Sequence, residues 1–223
     1  ASDVYKRQGF IVAHWGVAPF VASLGVQLIS YGLCLQYFNT VCNSNPLSGF
    51  TKTYSKFCQG TIRIGNISLS YLMFYAIAVV AVMWVIWNRT TLGKNMFAIG
   101  GNREAAKVCG VNVKRTIIIV YIIAGLLYAF GGVLEAGRTG SANSTMGADY
   151  AMDAIAACVV GGVSMKGGTG TLPGVVIGVI IFQIISYGLI YIGVSPDLQY
   201  VVKGLIIIVA VVLDNQKSLR KAA

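Results

Sequence analysis

Long stretches of this chain carry no Asp, Glu, Lys or Arg. These gaps cover residues 8–51, 64–88, 116–134 and 167–196. Because an α-helix rises about 1.5 Å per residue, each gap is long enough to cross roughly 30 Å of hydrocarbon. Apolar residues run continuously through the gaps instead of alternating, which argues against the strands of a membrane barrel. The gaps therefore predict a protein that crosses a membrane as helices.

The composition supports this prediction. The 223 residues are 56% hydrophobic and only 11% charged, whereas a soluble domain carries about 25% charged residues. The predicted fold class is an all-α polytopic membrane helix bundle with about six spans. The expected crossings lie near residues 10–33, 69–87, 116–134, 150–165, 171–192 and 198–213.

The distribution of Lys and Arg predicts the orientation of the spans. If the first connection faces outward, twelve basic residues lie on the inner side and four on the outer side, with Lys203 inside a span. This bias places both ends of the chain in the cytoplasm and explains the net charge of +10 by contact with anionic lipid. Nucleic acid is excluded as a partner because no basic helix carries interleaved aromatic residues. The inner residues are Lys6, Arg7, Arg89, Lys94, Arg103, Lys107, Lys114, Arg115, Lys166, Lys217, Arg220 and Lys221, and the outer residues are Lys52, Lys56, Arg63 and Arg138.

Lys203 has two interpretations. It lies about one turn from the outer end of the last predicted span, where a lysine usually extends its ammonium group to the lipid headgroups. This position favours snorkelling. The alternative is a cation that lines a pathway or pairs with an acidic residue such as Asp153.

The cysteines predict neither a metal site nor a redox site. There are five, and none forms a Cys-x-x-Cys pair, so no metal or cofactor is expected. Cys42 and Cys58 fall in a connection predicted to lie outside the cytoplasm, where a disulfide between them would persist. A free, buried cysteine is the commoner state and is the preferred interpretation.

Small residues recur every four positions in two neighbouring spans. Gly170, Gly174 and Gly178 follow this spacing in one span, and Ala157 and Gly161 follow it in the span before. In lipid, such spacing predicts a tight helix seam because small residues let two backbones approach closely.

The connection over residues 88–115 is too long for a simple inner turn. Its centre predicts a short helix: Asn102 is a suitable N-cap, Glu104 lies in the first turn, and Gly110 suits the end. A short exposed helix with a smooth surface fits a groove on another protein. The residues of that surface are Ala105, Ala106, Val108 and Cys109.

The residues Glu104-Ala105-Ala106-x-x-x-Gly110 resemble the Glu-Ala-Ala loop of ABC importer permeases, the coupling helix that docks on the cytoplasmic ATPase. Further blocks resemble the ribose, xylose and galactose branch of that family, and within it the galactose/methyl-galactoside permeases. The blocks are Arg89-Thr90-Thr91-Leu92-Gly93-Lys94-Asn95, Ala98-Ile99-Gly100-Gly101-Asn102, Asp153-Ala154-Ile155-Ala156-Ala157, Val160-Gly161-Gly162-Val163-Ser164, Leu134-Glu135-Ala136-Gly137-Arg138 and Tyr191-Ile192-Gly193-Val194.

The resemblance implies a domain organisation. Residues 9–214 are expected to be a permease domain that lacks N-terminal spans of the family, with a cytoplasmic coupling loop at 88–115 and a cytoplasmic tail at 215–223. Residues 1–8 begin with Ala instead of Met and are expected to be a cloning or assembly remnant. The coupling residues implied by the motif are Gly101, Asn102, Glu104, Ala105, Ala106 and Gly110.

The resemblance also implies partners. Two permease chains would form a homodimeric pathway in the bacterial inner membrane, a cytoplasmic ATP-binding subunit would supply energy, and an external binding protein would deliver a monosaccharide such as galactose. The chain itself is not expected to be an enzyme. Its glycine run at 166–170 lacks the order Gly-x-x-x-x-Gly-Lys-Ser/Thr and predicts a tight turn. Its single histidine, His14, lies in an apolar span and predicts packing or a hydrogen bond between helices, not a catalytic base.

Polar residues on two spans are candidates for the sugar pathway, although hydrogen bonds between helices explain them equally well. They are Ser23 and Gln27 on the first span with Gln183, Ser186 and Tyr187 on the fifth. A second group lies near the predicted outer mouth and is a candidate contact for the binding protein, with local ion pairs as the plainer explanation. It consists of Glu135, Arg138 and Asp153.

Two other functions are compatible with the sequence. In an ion-coupled secondary transporter, charges within the membrane such as Asp153 and Lys203 would bind protons or sodium. An ABC permease for branched-chain amino acids would share the architecture and differ in the ligand of its external partner.

Overall fold

A computed structural model describes residues 2–15, 17–43, 45–64, 67–165 and 167–220, and most of these residues are helical. This confirms the predicted all-α class. In chain order the elements are α1 Ser2–Trp15, α2 Pro19–Val41, β1 Leu47–Ser48, α3 Lys52–Gln59, β2 Thr61–Ile64, β3 Ile67–Ser70, α4 Tyr71–Arg89, α5 Thr91–Gly101, α6 Arg103–Val108, α7 Val113–Thr139, β4 Ser141–Ala142, α8 Tyr150–Val160, α9 Leu172–Tyr191 and α10 Pro196–Arg220.

The chain divides into two compact units. Unit 1 comprises Ala1–Val85 and Gly110–Met146, and unit 2 comprises Ile86–Cys109 and Gly147–Ala223. Unit 1 therefore holds α1 to α3, most of α4, and α7, whereas unit 2 holds α5, α6 and α8 to α10.

In unit 1, α1 packs along α7 and also contacts α2. Gly9 permits the close approach of α1, because a Cβ at this position would lie 3.1 Å from Tyr121 and 3.3 Å from the backbone of Ile118. Gln8 is buried beside it and donates a hydrogen bond of 2.6 Å to Ser23 on α2. Gln8, which the sequence assigned to a terminal remnant, thus joins two helices of the unit.

The connection between α2 and α4 carries structure of its own. Its helix α3 packs on α7, where the amide of Gln59 donates to the carbonyl of Gly137 at 3.0 Å. Strands β2 and β3 form an antiparallel pair, and β1 pairs with β4 through Leu47 and Ala142.

The cysteines of this connection do not form a disulfide. The structure describes all five cysteines of the chain, and each is a free thiol. Cys58 is fully buried in α3 and faces Gly137 of α7, where the missing side chain of the glycine leaves room for its sulfur. Cys42 is half-buried at the end of α2. The pairing of Cys42 with Cys58 is therefore wrong, and the preferred interpretation of Cys58 as a free, buried thiol is confirmed.

The first predicted span, residues 10–33, has the wrong bounds. The structure divides it between α1 and α2, with Val17 and Ala18 outside both helices and Pro19 in the first turn of α2. Proline starts a helix readily because its φ angle is already helical and its missing N–H needs no partner there. Helix α2 then continues to Val41, eight residues beyond the predicted end.

In the part of the chain that the structure describes, four helices are long and apolar enough to cross a membrane: α2, α4, α7 and α9. Helix α4 has no buried residue along its described length, and exposed apolar helices of this kind are stable in lipid and not in water. The predicted count of about six is therefore loose. The crossing at 150–165 corresponds to α8, whose 11 residues reach only about 16 Å, and the crossing at 198–213 lies within α10, outside the four.

The predicted glycine seam joins α8 to α9 in unit 2. A Cβ on Gly178 would collide with the carbonyl oxygen of Ala157, and Cβ atoms on Gly161 and Gly174 would each collide with the other residue's carbonyl oxygen. Gly170 lies outside the seam, against Val163. Three of the four predicted glycines thus bring the two backbones into direct contact.

The core of unit 2 lies beside this seam. Ala156 and Ala157 of α8 and Phe182 of α9 are buried together, and Ile206 and Ile207 of α10 pack against them. Helix α8 is therefore enclosed by α9 on one side and by α10 on another.

We predict that Gly178→Ala destabilises unit 2, whereas Gly188→Ala on the same helix does not. A methyl group at 178 meets backbone that cannot turn away, whereas a Cβ at 188 has nothing within 4 Å. Overpacking of this kind costs about 1–3 kcal/mol. Thermal unfolding of the purified protein in detergent measures the difference, and equal melting temperatures for the two variants would contradict the seam.

Candidate functional site

A sharp corner joins α4 to α5 in unit 2. The hydroxyl of Thr90 donates to the carbonyl of Ile86 at 2.6 Å and accepts from the amide of Gly93 at 3.4 Å, so one side chain caps the start of α5 and joins it to the end of α4. Gly93 lies directly against the carbonyl of Trp87, where no other residue fits. The ring of Trp87 meets the ring of Phe97 edge-on across the corner. These contacts fix the direction in which α5 leaves α4.

The short helix predicted around Glu104 is confirmed as α6. The side chain of Asn102 caps it by accepting hydrogen bonds from the amides of Glu104 and Ala105, both at 3.0 Å. Glu104 lies in the first turn, where the helix dipole stabilises a negative charge. Gly110 follows the helix with a φ angle of 81°, the left-handed conformation that commonly ends helices. Gly101 ends α5 immediately before the cap.

The surface of α6 differs from the prediction at one residue. Ala105, Val108 and Cys109 are exposed, and Val108 is 90% exposed, whereas Ala106 is only 4% exposed. In a helix this short, one face must pack against the protein, and here α6 packs against α5. Ala106 therefore lies on the buried face of α6, and its neighbours form the exposed face.

Glu104 and Lys107 form an ion pair of 2.8 Å on that outer surface. The hydrogen bond from Lys107, followed by its positive charge, lowers the pKa of the Glu104 carboxyl below its ordinary value. The carboxylate is consequently ionised at neutral pH. The free face of α6 thus presents a negative charge and a positive charge beside an uncovered valine.

A glycine-rich turn, which sequence reasoning interpreted only as a turn, packs on α5 in unit 2. A Cβ on Gly100 would lie 2.6 Å from the amide nitrogen of Gly168. Lys166 lies outside the described residues. The Gly-Gly pairs at 100–101 and 167–168 were the available signal for this contact. The turn and α5 enclose a small cleft of about 190 Å³ lined by Trp87, Met96, Phe97, Gly100, Val163, Ser164, Gly167, Gly168 and Thr169.

The pathway candidates occur in both units. In unit 1, Ser23 accepts the bond from Gln8 and donates to the carbonyl of Pro19 at 2.8 Å, whereas Gln27 is exposed. Ser23 thus joins α1 to α2 by a hydrogen bond, which was the alternative to a role in the sugar pathway.

The unit 2 candidates all lie on α9. Gln183 and Tyr187 are exposed, and the hydroxyl of Ser186 is buried without a hydrogen-bond partner.

The candidates for the outer mouth form ion pairs within their own units. In unit 1, Arg138 donates two hydrogen bonds to the carboxylate of Glu135, at 2.6 and 2.9 Å. In unit 2, Lys203 donates to both carboxylate oxygens of Asp153 at 2.9 Å. The favoured interpretation of Lys203 as a snorkelling residue is therefore wrong, and the alternative, a pair with Asp153 on α8, is confirmed.

The contact between Asp149 and Tyr200 was missed by sequence reasoning. The hydroxyl of Tyr200 donates to Asp149 at 2.8 Å, one turn away from the pair of Asp153 and Lys203. The spacing of Asp149 and Asp153 was a signal, since residues four apart share one helix face.

His14 stacks on the ring of Phe10 with centroids 4.0 Å apart, as a packing role requires.

The fold defines a polytopic helical membrane protein with a capped short helix outside its spans. Residues 8–211 match the family described as "Branched-chain amino acid transport system / permease component". The chain belongs to this family of transport permeases.

Relatives narrow the similarity to the sugar branch. The chain is 55% identical, over 96% of its length, to the galactose/methyl galactoside import permease protein MglC of Escherichia coli K12, and 53% identical to that of Haemophilus influenzae. It is 37% identical, over 94% of its length, to the ribose import permease protein RbsC of Bacillus subtilis. The predicted resemblance is confirmed. The chain spans 63% of the length of each of these relatives, and no solved structure matches it.

We predict that Asn102→Ala loosens α6, because both capped amides lose their acceptor. Loss of an Asn cap costs about 1 kcal/mol, which corresponds to about fivefold faster amide exchange over the helix. Hydrogen exchange of the peptide that covers residues 102–109 measures this effect. Asn102→Asp, which keeps the acceptor, is the matched control, and equal exchange in the two variants would contradict the cap.

Proposed function

We propose that this chain belongs to the membrane-spanning subunit of an ATP-driven importer and conducts a monosaccharide such as galactose or methyl galactoside across the bacterial inner membrane. The observation that carries the proposal is the 55% identity to a galactose/methyl galactoside import permease over 96% of the chain. The four apolar helices support it, because a membrane-spanning subunit needs several crossings. The broader family description names branched-chain amino acids, so these are the second candidate cargo.

The energy of ATP hydrolysis on a separate subunit would reach this chain through α6. This helix offers a rigid, exposed contact to a separate cytoplasmic ATP-binding subunit, because Asn102 fixes its start, Ala106 anchors its inner face and Gly110 permits its sharp end. Val108 supplies an apolar contact to that subunit, and Glu104 and Lys107 supply polar contacts at its rim. An apolar centre with a polar rim is the usual arrangement at protein interfaces. The chain itself hydrolyses no ATP.

The corner between α4 and α5 transmits the motion. A rigid-body displacement of α6 moves α5 with it because the two helices pack together, and Thr90 and Gly93 join α5 to the end of α4. Closure of the ATP-binding subunits would thereby rock the spans between inward-open and outward-open states. The excess of Lys and Arg on one side supports a cytoplasmic position for this corner and for both ends of the described chain.

The pathway needs polar groups that bind sugar weakly. Gln183 and Tyr187 on α9 and Gln27 on α2 expose polar atoms on otherwise apolar helices, and Ser186 has an unused hydroxyl. Weak contacts of this type release a neutral sugar as readily as they bind it. Two permease chains would close the pathway between them. Glu135 and Arg138 in unit 1 would contact the sugar-binding protein on the outer side, whereas Asp153 in unit 2 is held by Lys203.

We predict that Glu104→Arg in the intact permease lowers ATP-dependent uptake by at least about tenfold, a loss of about 1.4 kcal/mol in docking. The reversed charge repels Lys107 and spoils the contact surface, while membrane insertion is unchanged. Gly110→Val is expected to act in the same direction, because a β-branched residue resists the left-handed conformation. Co-purification of the ATP-binding subunit provides the second measurement.

Lys56→Glu is the matched control, since Lys56 is an exposed charge on α3 in the connection assigned to the opposite side of the membrane. This variant should retain the ATP-binding subunit. Normal uptake by both Glu104→Arg and Gly110→Val would remove the coupling assignment.

The cargo and the energy source can be tested together in vesicles that contain the intact permease, its ATP-binding subunit and its binding protein. We expect galactose uptake to require ATP and to persist after ion gradients are dissipated. Loss of uptake with the gradient would instead indicate an ion-coupled secondary transporter. Uptake of ribose or of leucine in place of galactose would change the cargo and leave the transporter class intact.

A further inference from the structure

Two polar contacts join α8 to α10 in unit 2. The hydroxyl of Tyr200 donates to Asp149 at 2.8 Å, and the ammonium group of Lys203 donates to both oxygens of Asp153 at 2.9 Å. The two acidic residues are four positions apart and their partners are three apart, so each pair lies one helical turn from the other. The two contacts follow one another along the same two helices like rungs of a ladder. The contact of Tyr200 with Asp149 is called the upper rung, and the contact of Lys203 with Asp153 is called the lower rung.

The lower rung lies in apolar surroundings. Only 20% of the Lys203 side chain and 22% of the Asp153 side chain are exposed. The ammonium nitrogen also lies 5.8 Å from the centre of the Phe182 ring, a side chain that is almost completely buried. A single charge is costly at such a position unless an opposite charge is close to it.

Helix α8 needs polar contacts of this kind to hold it in place because it is short. Its 11 residues reach about 16 Å, half of the hydrocarbon thickness, so the bilayer does not fix its depth as it fixes the depth of a full span. The seam with α9 holds one side of α8 through the backbone contacts of Gly161, Gly174 and Gly178. The two polar rungs hold the side that meets α10.

We propose that Asp153 and Lys203 form an obligatory ion pair that fixes the register of α10 against α8. Neither charge is needed on its own, either for the cargo or for a coupling ion. A slip of one turn, about 5.4 Å, would set either Lys203 against Asp149 or Tyr200 against Asp153. In both cases one charge of the pair of Asp153 and Lys203 would lose its opposite charge in apolar surroundings. The pair therefore acts as a positioning device, and its direction is immaterial as long as the two charges are opposite.

The proposal predicts a particular pattern among four variants of the intact permease. Asp153→Asn and Lys203→Met each leave one charge unpaired and should each lower the melting temperature by about 5–10 °C. The combined neutral variant should recover most of this loss. The exchanged variant, Asp153→Lys with Lys203→Asp, should recover both the melting temperature and uptake, because the ion pair is restored with reversed polarity.

Asp197→Asn on the same helix is the matched control and should leave the melting temperature unchanged. Tyr200→Phe removes the upper rung without leaving a buried charge unpaired and should have a smaller effect than either single variant of the lower rung. If the single variants fail to accumulate in the membrane, recovery of the amount of inserted protein in the exchanged variant is the equivalent measurement.

An exchanged variant as unstable as the single variants would overturn the proposal. So would single variants that are as stable as the unchanged protein. An exchanged variant that is stable but no longer transports would show that one charge acts on the cargo or on an ion, and would also overturn it. Since stability and insertion are measured without any substrate, these outcomes are distinct from a failure of the proposed sugar transport.

Discussion

Helices in a bilayer gain little from hydrophobic expulsion, because lipid tails are as apolar as the side chains that they would replace. Unit 2 meets this constraint by direct backbone contact between α8 and α9, because Gly161, Gly174 and Gly178 have no side chain to hold the two backbones apart. Close contact recovers dispersion energy that bulky side chains would forfeit. The position of α8, the buried cluster around Phe182 and the approach of α10 all depend on this seam.

The charged residues follow from the same environment. In water an exposed ion pair contributes little, but a charge in apolar surroundings needs a partner. Glu104 and Lys107 on α6 represent the first case, and Asp153 and Lys203 represent the second. The first pair is exposed, whereas the second is mostly buried and is suited to hold two helices in register.

The short helix α6 combines rigidity with exposure. A helix of six residues is not stable by itself, so its stability comes from the Asn102 cap and from the packing of Ala106. The corner at Thr90 and Gly93 joins this rigid element to the end of a long apolar helix. The contacts of Thr90 and Gly93 therefore join α6 and α5 firmly to the end of α4, which fits the coupling role proposed for α6.

The sequence by itself determined the helical membrane class, the existence of α6 and the residues of the glycine seam, because these follow from hydropathy, from capping within one turn and from spacing along one helix. Only the tertiary structure decided the break before Pro19, the half length of α8, the free state of Cys58 and the burial of Ala106. Charge-free stretches do not mark helix ends, since apolar loops share their composition. The partner of Lys203 lies 50 residues away on another helix, and such a contact depends on the path of the whole chain.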